Sequence, residues 1–239
     1  MACYLLADFG STFTKLTLVD LVSETVLATS SALTTVLDDI SIGYEKALKE
    51  LEGKLKQKVS FDYSLACSSA NGGLKMAAIG LVEELTTEAA KRVCLGAGAK
   101  VELVFSHHLT NQEIAKLENS AIDIILLAGG TDGGNDEVVI YNAKKLAASK
   151  ITIPLIYAGN KSAIDTVSAI LTKAKKEYYI CENVMPKVNK LNVDNAKAKI
   201  QEIFITKIIE AKGLKKIEEK IDKIVFPTPT AVLNAASLL

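Results

Sequence analysis

The chain has 239 residues, 49% of them apolar and 23% charged, which suffices for one large domain or two small ones and excludes a chain disordered throughout. Lys and Arg number 28, as do Asp and Glu, with Arg92 the sole arginine and no tryptophan; no basic excess, base-reading forks or stacking platforms exist to support nucleic-acid binding. The four cysteines form no C-x-x-C pair and the histidines are only His107 and His108, which argues against a zinc site and for buried thiols in a reducing compartment.

The N-terminus has no basic segment leading into an apolar run, and Asp8 interrupts the first apolar stretch. No stretch approaches the ~18 apolar residues of a membrane span. A cytoplasmic protein without a membrane partner is expected.

The opening reads as a strand meander. Short apolar runs at residues 4–7, 16–19 and 25–29 are strands, with turns at Gly10 and Ser23. Tyr44, Leu48, Leu51 and Leu55 recur at helical spacing with Glu and Lys between them, the pattern of an amphipathic helix. Residues 63–67 return as a strand into Ser68-Ser-Ala-Asn-Gly-Gly73. Residues 74–85 fit a strand or a helix, which periodicity does not separate. Residues 86–94 read as a helix capped by Thr86 or Thr87.

From Lys100 the pattern changes to alternation. Strands are expected at 101–105, 123–127, 154–157 and 178–181, with helices at 111–117, 135–148 and 162–175 between them. This is the βαβ order of a parallel sheet. An amphipathic helix over 194–212, a strand at 224–226 and a helix over 230–239 close the chain. The chain stops inside that helix without a Gly cap, which suggests a cut through a longer protein.

One constellation carries chemistry, Asp8-Phe-Gly10-Ser11-Thr12-Phe-Thr-Lys15. A buried strand delivers Asp8 to its end, and Gly10 permits a tight turn with close backbone approach by a ligand. Ser11 and Thr12 offer N–H groups and hydroxyls to anionic oxygens. The next strand brings Lys15 back to neutralise a phosphate, and Asp8 can hold a hydrated Mg²⁺. The plain alternative is a hairpin with ordinary polar turn residues.

This hairpin resembles the first phosphate motif of the actin-like ATPases, the class that includes actin, heat-shock chaperones and sugar kinases. Beyond it, Ser68-Ser-Ala-Asn-Gly-Gly-Leu-Lys-Met76, Gly80-Leu-Val82, the stretch from Leu85 through Arg92 to Gly98, Leu127-Ala-Gly-Gly-Thr-Asp-Gly-Gly-Asn135 and Phe226-Pro-Thr-Pro-Thr-Ala-Val-Leu233 resemble the MutL/GlmL family. These are accessory, reactivating proteins of glutamate mutase, grouped with the reactivating ATPases of adenosylcobalamin enzymes. The resemblance runs along nearly the whole chain. It implies an α/β fold: an actin-like (ribonuclease H-like) lobe from residues 1–71 and 200–239, with an inserted parallel α/β subdomain over 72–199. It implies ATP and Mg²⁺ as cofactors, with Asp8 toward the metal. It implies the subunits of an adenosylcobalamin-dependent mutase as partners.

Such ATPases also need a second phosphate hairpin and an adenosine segment, and neither is recognisable. Asp132-Gly-Gly-Asn135 lacks the following Thr and Asp. The chain is therefore expected to be the first lobe of a longer protein, with ATPase activity only in the full-length form and no catalytic residue assignable. The loop carrying Gly129, Gly130, Thr131 and Asp132 follows a buried strand and precedes a helix, where ligands favour parallel sheets. It reads equally as a ligand-binding loop or as a glycine-rich chain reversal. Asn160, after the next strand, reads as a helix N-cap. Two other functions stay open: a small-molecule kinase of the same superfamily, which would need a carboxylate base in the cleft, and a nucleotide-dependent binding module.

Overall fold

A computed structural model describes residues 2–35, 39–69, 74–95, 97–210 and 220–238, with the side chains of 207–210 and 224–226 excepted. Residues 4–7 are all apolar, yet burial alternates along the first two strands, and that period of two gives a sheet with one face inward. Strands β1 (Cys3–Phe9), β2 (Phe13–Asp20) and β3 (Thr25–Leu33) form an antiparallel meander. Leu5, Ala7, Phe9, Leu16 and Leu18 point inward and are buried. Helix α1 (Ile40–Leu55) packs on β2 and β3, with its Tyr44 ring 6.1 Å from that of Phe9. It starts earlier than the apolar spacing suggests, because Asp39 accepts the N–H of Ser41 and caps it.

Strand β4 (Tyr63–Ser68) joins β1 in parallel, and β10 (Lys223–Pro227) joins β4 in parallel. The sheet order is β10-β4-β1-β2-β3. Asp222 staples β10 to β4: its carboxylate accepts from the N–H and hydroxyl of Ser64, and its own N–H donates to that hydroxyl. These bonds hold the Asp222 carboxyl below the ordinary carboxylate value, chiefly through the Ser64 N–H. Helix α7 (Thr228–Ala236) begins two residues before the expected start, with Pro229 inside its first turn, where a missing N–H costs nothing.

The second sheet is all parallel. Its strands are β5 (Leu74–Gly80), β6 (Ala99–Ser106), β7 (Ile124–Leu127), β8 (Leu155–Tyr157) and β9 (Tyr178–Ile180), in the order β6-β5-β7-β8-β9. Residues 74–80 are thus strand, the question that periodicity left open. Helices α2 (Glu83–Cys94), α3 (Asn111–Glu118), α4 (Glu137–Ala148) and α5 (Ile164–Lys173) connect these strands. Ile79, Phe105, Leu127, Val139, Leu146, Tyr157 and Val167 form the core between strands and helices. Helix α6 (Asp194–Glu210) follows; residues 211 and 212 of the helix expected there lie outside the described residues.

The expected Thr86 or Thr87 cap is corrected. Helix α2 starts at Glu83 without a side-chain cap, and Thr86 lies inside it, donating its hydroxyl to the Val82 carbonyl. The chain enters α2 only two residues after β5, so a cap at Thr86 would come too late. A side chain at Gly80 would run into Thr86. Asn160, by contrast, is an N-cap: it accepts from the Ser162 N–H ahead of the short 3₁₀ turn Lys161–Ala163.

The chain divides into two compact units, Met1–Gly73 with Gln201–Leu239, and Leu74–Ile200. Its fold is α/β, with a mixed sheet in the first unit and a parallel sheet in the second.

Two outcomes follow from these ties. Asn160 is fully buried and holds four groups: it accepts from Gly133 and Ser162 and donates to the carbonyls of Gly134 and Asn135. Asn160→Ala leaves buried partners unmatched and is expected to cost about 2–4 kcal/mol, read as a lower urea midpoint against an Asn119→Ala control. Asp222, with its lowered folded pKa, stabilises above the ordinary carboxylate value, and that stability is lost as pH falls through the lower folded value. Asp222→Asn should flatten this acid limb; an unchanged limb would mean other carboxylates set it.

Candidate functional site

The register of β1 and β2 places Asp8 directly opposite Lys15 and Phe9 opposite Thr14. Directly opposed residues share a face of the sheet, so the carboxylate and the ammonium project from the same side of the hairpin. The Gly10 N–H donates to the Phe13 carbonyl at 3.0 Å and closes a two-residue tip, Ser11-Thr12. A Cβ at Gly10 would lie 2.8 Å from the Phe13 oxygen, so glycine is required there for close approach rather than for an unusual φ. Thr14 is fully buried and its hydroxyl meets that of Thr34 at 3.0 Å, while the Thr34 N–H donates to the Thr12 carbonyl. These bonds anchor the tip from behind.

The tip itself is unengaged. Among the described residues, the N–H groups and hydroxyls of Ser11 and Thr12 have no partner, and Lys15 has no carboxylate within ion-pair distance. All three residues are exposed. Two adjacent donor-bearing residues and a free ammonium on one hairpin form a local concentration of positive potential.

Asp8 is half-buried and held from a distance in sequence. The Thr228 hydroxyl, at the start of α7, donates to Asp8 Oδ1 at 2.9 Å. Cys67 stands beside Asp8 in the parallel register of β4, with its Sγ 3.6 Å from Asp8 Oδ1 and 3.6 Å from the Thr228 hydroxyl. Burial pushes the Cys67 thiol up; the Thr228 hydrogen bond opposes it less strongly, and the Asp8 carboxylate adds to the upward push. A thiol so placed stays protonated near neutrality and is a poor nucleophile. Sequence reasoning missed Cys67 and Thr228 as site residues. Thr228 lies in Phe226-Pro-Thr-Pro-Thr, a segment that carries part of the family resemblance but shows no sign of a link to Asp8. Residues 70–73, which follow β4, lie outside the described residues.

The second candidate loop sits in the other unit. Gly129, Gly130 and Gly133 have φ of +132°, +73° and +74°, a region that side-chain-bearing residues rarely adopt. A side chain on Gly130 would run into the Asn135 carbonyl. Asp132 accepts from the Lys161 N–H at 3.0 Å and from Asn183 Nδ2 at 2.9 Å. Asn183 Nδ2 also donates to the Gly130 carbonyl. The Asp132 carboxylate thus ties the loop to the segments that follow β8 and β9. His108 packs edge-on against Tyr141, with ring centroids 4.5 Å apart. No cluster of three metal-ligating side chains occurs among the described residues. No described helix is long and apolar enough to cross a membrane.

Known proteins give a consistent family. The chain is 55% identical over 240 residues to "Protein MutL" of Clostridium tetanomorphum, a match that covers 100% of this chain and 52% of that protein. The chain therefore spans about half the length of the curated relative it matches. Among solved structures, the ethanolamine utilization protein EutJ of Carboxydothermus hydrogenoformans is 14% identical and covers 84% of this chain and 90% of its own, with a TM-score of 0.21. That likeness is too slight to bear on the fold, which stands on the strand order. The family described as MutL protein matches residues 4–239, and the chain belongs to it.

Proposed function

We propose that the hairpin of residues 8–15 grips the phosphate tail of a nucleotide, with Mg²⁺ held beside Asp8. The observation that carries this reading is the unengaged tip: free donors at Ser11 and Thr12 and a free Lys15, on a rigid, anchored turn. Gly10 lets the phosphate oxygens approach the backbone. Lys15 neutralises charge without committing to a single geometry, since an ammonium is a compact point charge. Thr228 orients Asp8 so that its second oxygen faces a hydrated cation. The bound ATP·Mg²⁺ supplies the driving force for a change in the protein. What the described residues do is bind and orient its phosphates.

Membership of the MutL family supports the wider reading. In its whole-length form the protein is an ATP-dependent accessory protein of an adenosylcobalamin-dependent mutase, with glutamate mutase the expected partner. It would help the mutase exchange a damaged cofactor, in the cytoplasm. Phosphoryl transfer needs positioning and charge stabilisation from several directions, and this chain offers one phosphate hairpin. Hydrolysis is accordingly assigned to the whole-length protein. The test is recovery of turnover by an inactivated glutamate mutase on addition of that protein, Mg-ATP and fresh cofactor. Recovery that depends on ATP and fails with Lys15→Ala supports the reading. Phosphorylation of a small molecule without any effect on the mutase would favour a kinase instead.

Two substitutions test the hairpin itself. A charge-assisted contact is worth about 1.5–3 kcal/mol, so Lys15→Ala should weaken Mg-ATP binding by about one to two decades, read by calorimetric titration. Lys75→Ala and Lys161→Ala should leave it unchanged. Loss with Lys161→Ala and none with Lys15→Ala would move the nucleotide to the other unit. Thr228→Val keeps the shape but removes the donor to Asp8. It should lower stability by about 1 kcal/mol and raise the Mg²⁺ concentration needed for nucleotide binding. Lower stability with an unaltered Mg²⁺ requirement would leave Thr228 a purely structural residue.

A further inference from the structure

The unit Leu74–Ile200 contains a pocket that the phosphate hairpin does not use. From β5 the chain first lays β6 on one side, then returns to lay β7 on the other. Open parallel sheets bind ligands beyond the carboxyl ends of the strands that flank such a reversal. A cavity of about 250 Å³ lies at that place. Leu81 continues from β5 into its wall, and Gly129, Gly130 and Thr131 continue from β7. Leu85 of α2 and Met185, in the segment after β9, complete it.

The walls are fixed in advance. Asn160 is fully buried and Asn183 nearly so, and both hold loop backbone as described above. Glycine is required at positions 80 and 130 by close contacts, so the loops cannot readily repack. Among the described residues no buried side-chain nitrogen or oxygen lacks a partner.

The lining sets the chemistry. Among the described residues no charged side chain lines the cavity, and its surface is mostly aliphatic. The Asn183 amide is engaged with Gly130 and Asp132. Among the described residues, the Thr131 hydroxyl and the N–H groups of Gly129, Gly130 and Thr131 have no partner. These groups offer N–H donors and one hydroxyl, which can donate or accept, in the wall of a mostly aliphatic chamber. An anion would find no counter-charge among the lining residues, and the residue that follows Thr131 in the loop is the carboxylate Asp132.

We propose that this pocket binds a small uncharged molecule, its compact apolar body among Leu81, Leu85 and Met185 and one acceptor oxygen on the donors of residues 129–131. Burial of the body supplies the affinity and the donors supply the orientation. A phosphate-bearing ligand is disfavoured, which separates this site chemically from the hairpin.

The methionines make the test direct. The chain has three, and Met76 is fully buried in β5 of the same unit without lining the cavity, so it serves as an internal control for Met185. The protein is labelled with methyl-¹³C methionine and titrated with benzamide and with benzoate, which share a ring and differ in charge. The Met185 methyl signal should move with benzamide in the millimolar range usual for a fragment, while Met76 stays fixed. Benzoate should bind at least about tenfold more weakly. Thr131→Val should weaken benzamide by about threefold to tenfold, and Leu85→Trp, which fills the chamber, should abolish the shift with Met76 in its native position. If Leu85→Trp does not fold, the charge comparison and Thr131→Val decide. Equal or tighter binding of benzoate overturns the proposal. So does a Met185 signal that moves with neither probe up to their solubility limits, the result expected if only a partner protein's side chain fills the cavity.

Discussion

The parallel pairing of β1, β4 and β10 is the constraint on which the site depends. It aligns Asp8 with Cys67, and Cys67 with Phe226, so that Thr228 emerges beside the Asp8 carboxylate. The Asp8–Thr228 contact joins residues 220 positions apart. Such a contact forms only after a long loop has closed, and the sheet must provide the free energy for that closure. The Ser64–Asp222 hydrogen bonds lie on the same seam and reinforce it. Without this seam Asp8 would lose the Thr228 hydroxyl that orients it. The hairpin and the seam thus divide the work: local sequence makes the anion-facing tip, and long-range pairing fixes the carboxylate beside it.

The legibility of the chain follows the same division. The meander, the βαβ alternation and the Asn160 cap were readable because each rests on local patterns, short apolar runs in strands and special residues at turns. The strand character of 74–80 was not readable: Met76, Ala77, Ala78 and Ile79 are all fully buried, so no alternation marks a face. The start of α2 was misjudged because threonine is a frequent cap, whereas here the short link from Gly80 forces Thr86 inside the helix. The roles of Cys67 and Thr228 come from register between distant strands, which a single sequence does not display. Their neighbour Asp8 was visible because its motif is continuous.

The two glycine-bearing loops look alike in sequence and differ physically. At the hairpin, the polar groups of Ser11, Thr12 and Lys15 are exposed and unengaged. At residues 129–135 most polar side chains are turned to holding the loop: Asn160, Asn183 and Asp132 bind backbone, and the space they leave is aliphatic. Glycine serves different ends as well, close approach at Gly10 and left-handed backbone at Gly129 and Gly130. A charged phosphate suits the first setting, where a free ammonium meets solvent-facing donors. It has no counter-ion in the second.

Phosphate binding on the hairpin tip has a direct spectroscopic readout. The most direct measurement is the set of backbone amide ¹⁵N shifts as Mg²⁺ and a non-hydrolysable ATP analogue are added together. The account predicts the largest changes at Gly10, Ser11 and Thr12, with Lys15 following, and inorganic triphosphate should reproduce them because phosphate, not the base, makes the contact. Saturable binding that leaves those amides unmoved and shifts only residues of the unit Leu74–Ile200 would contradict it.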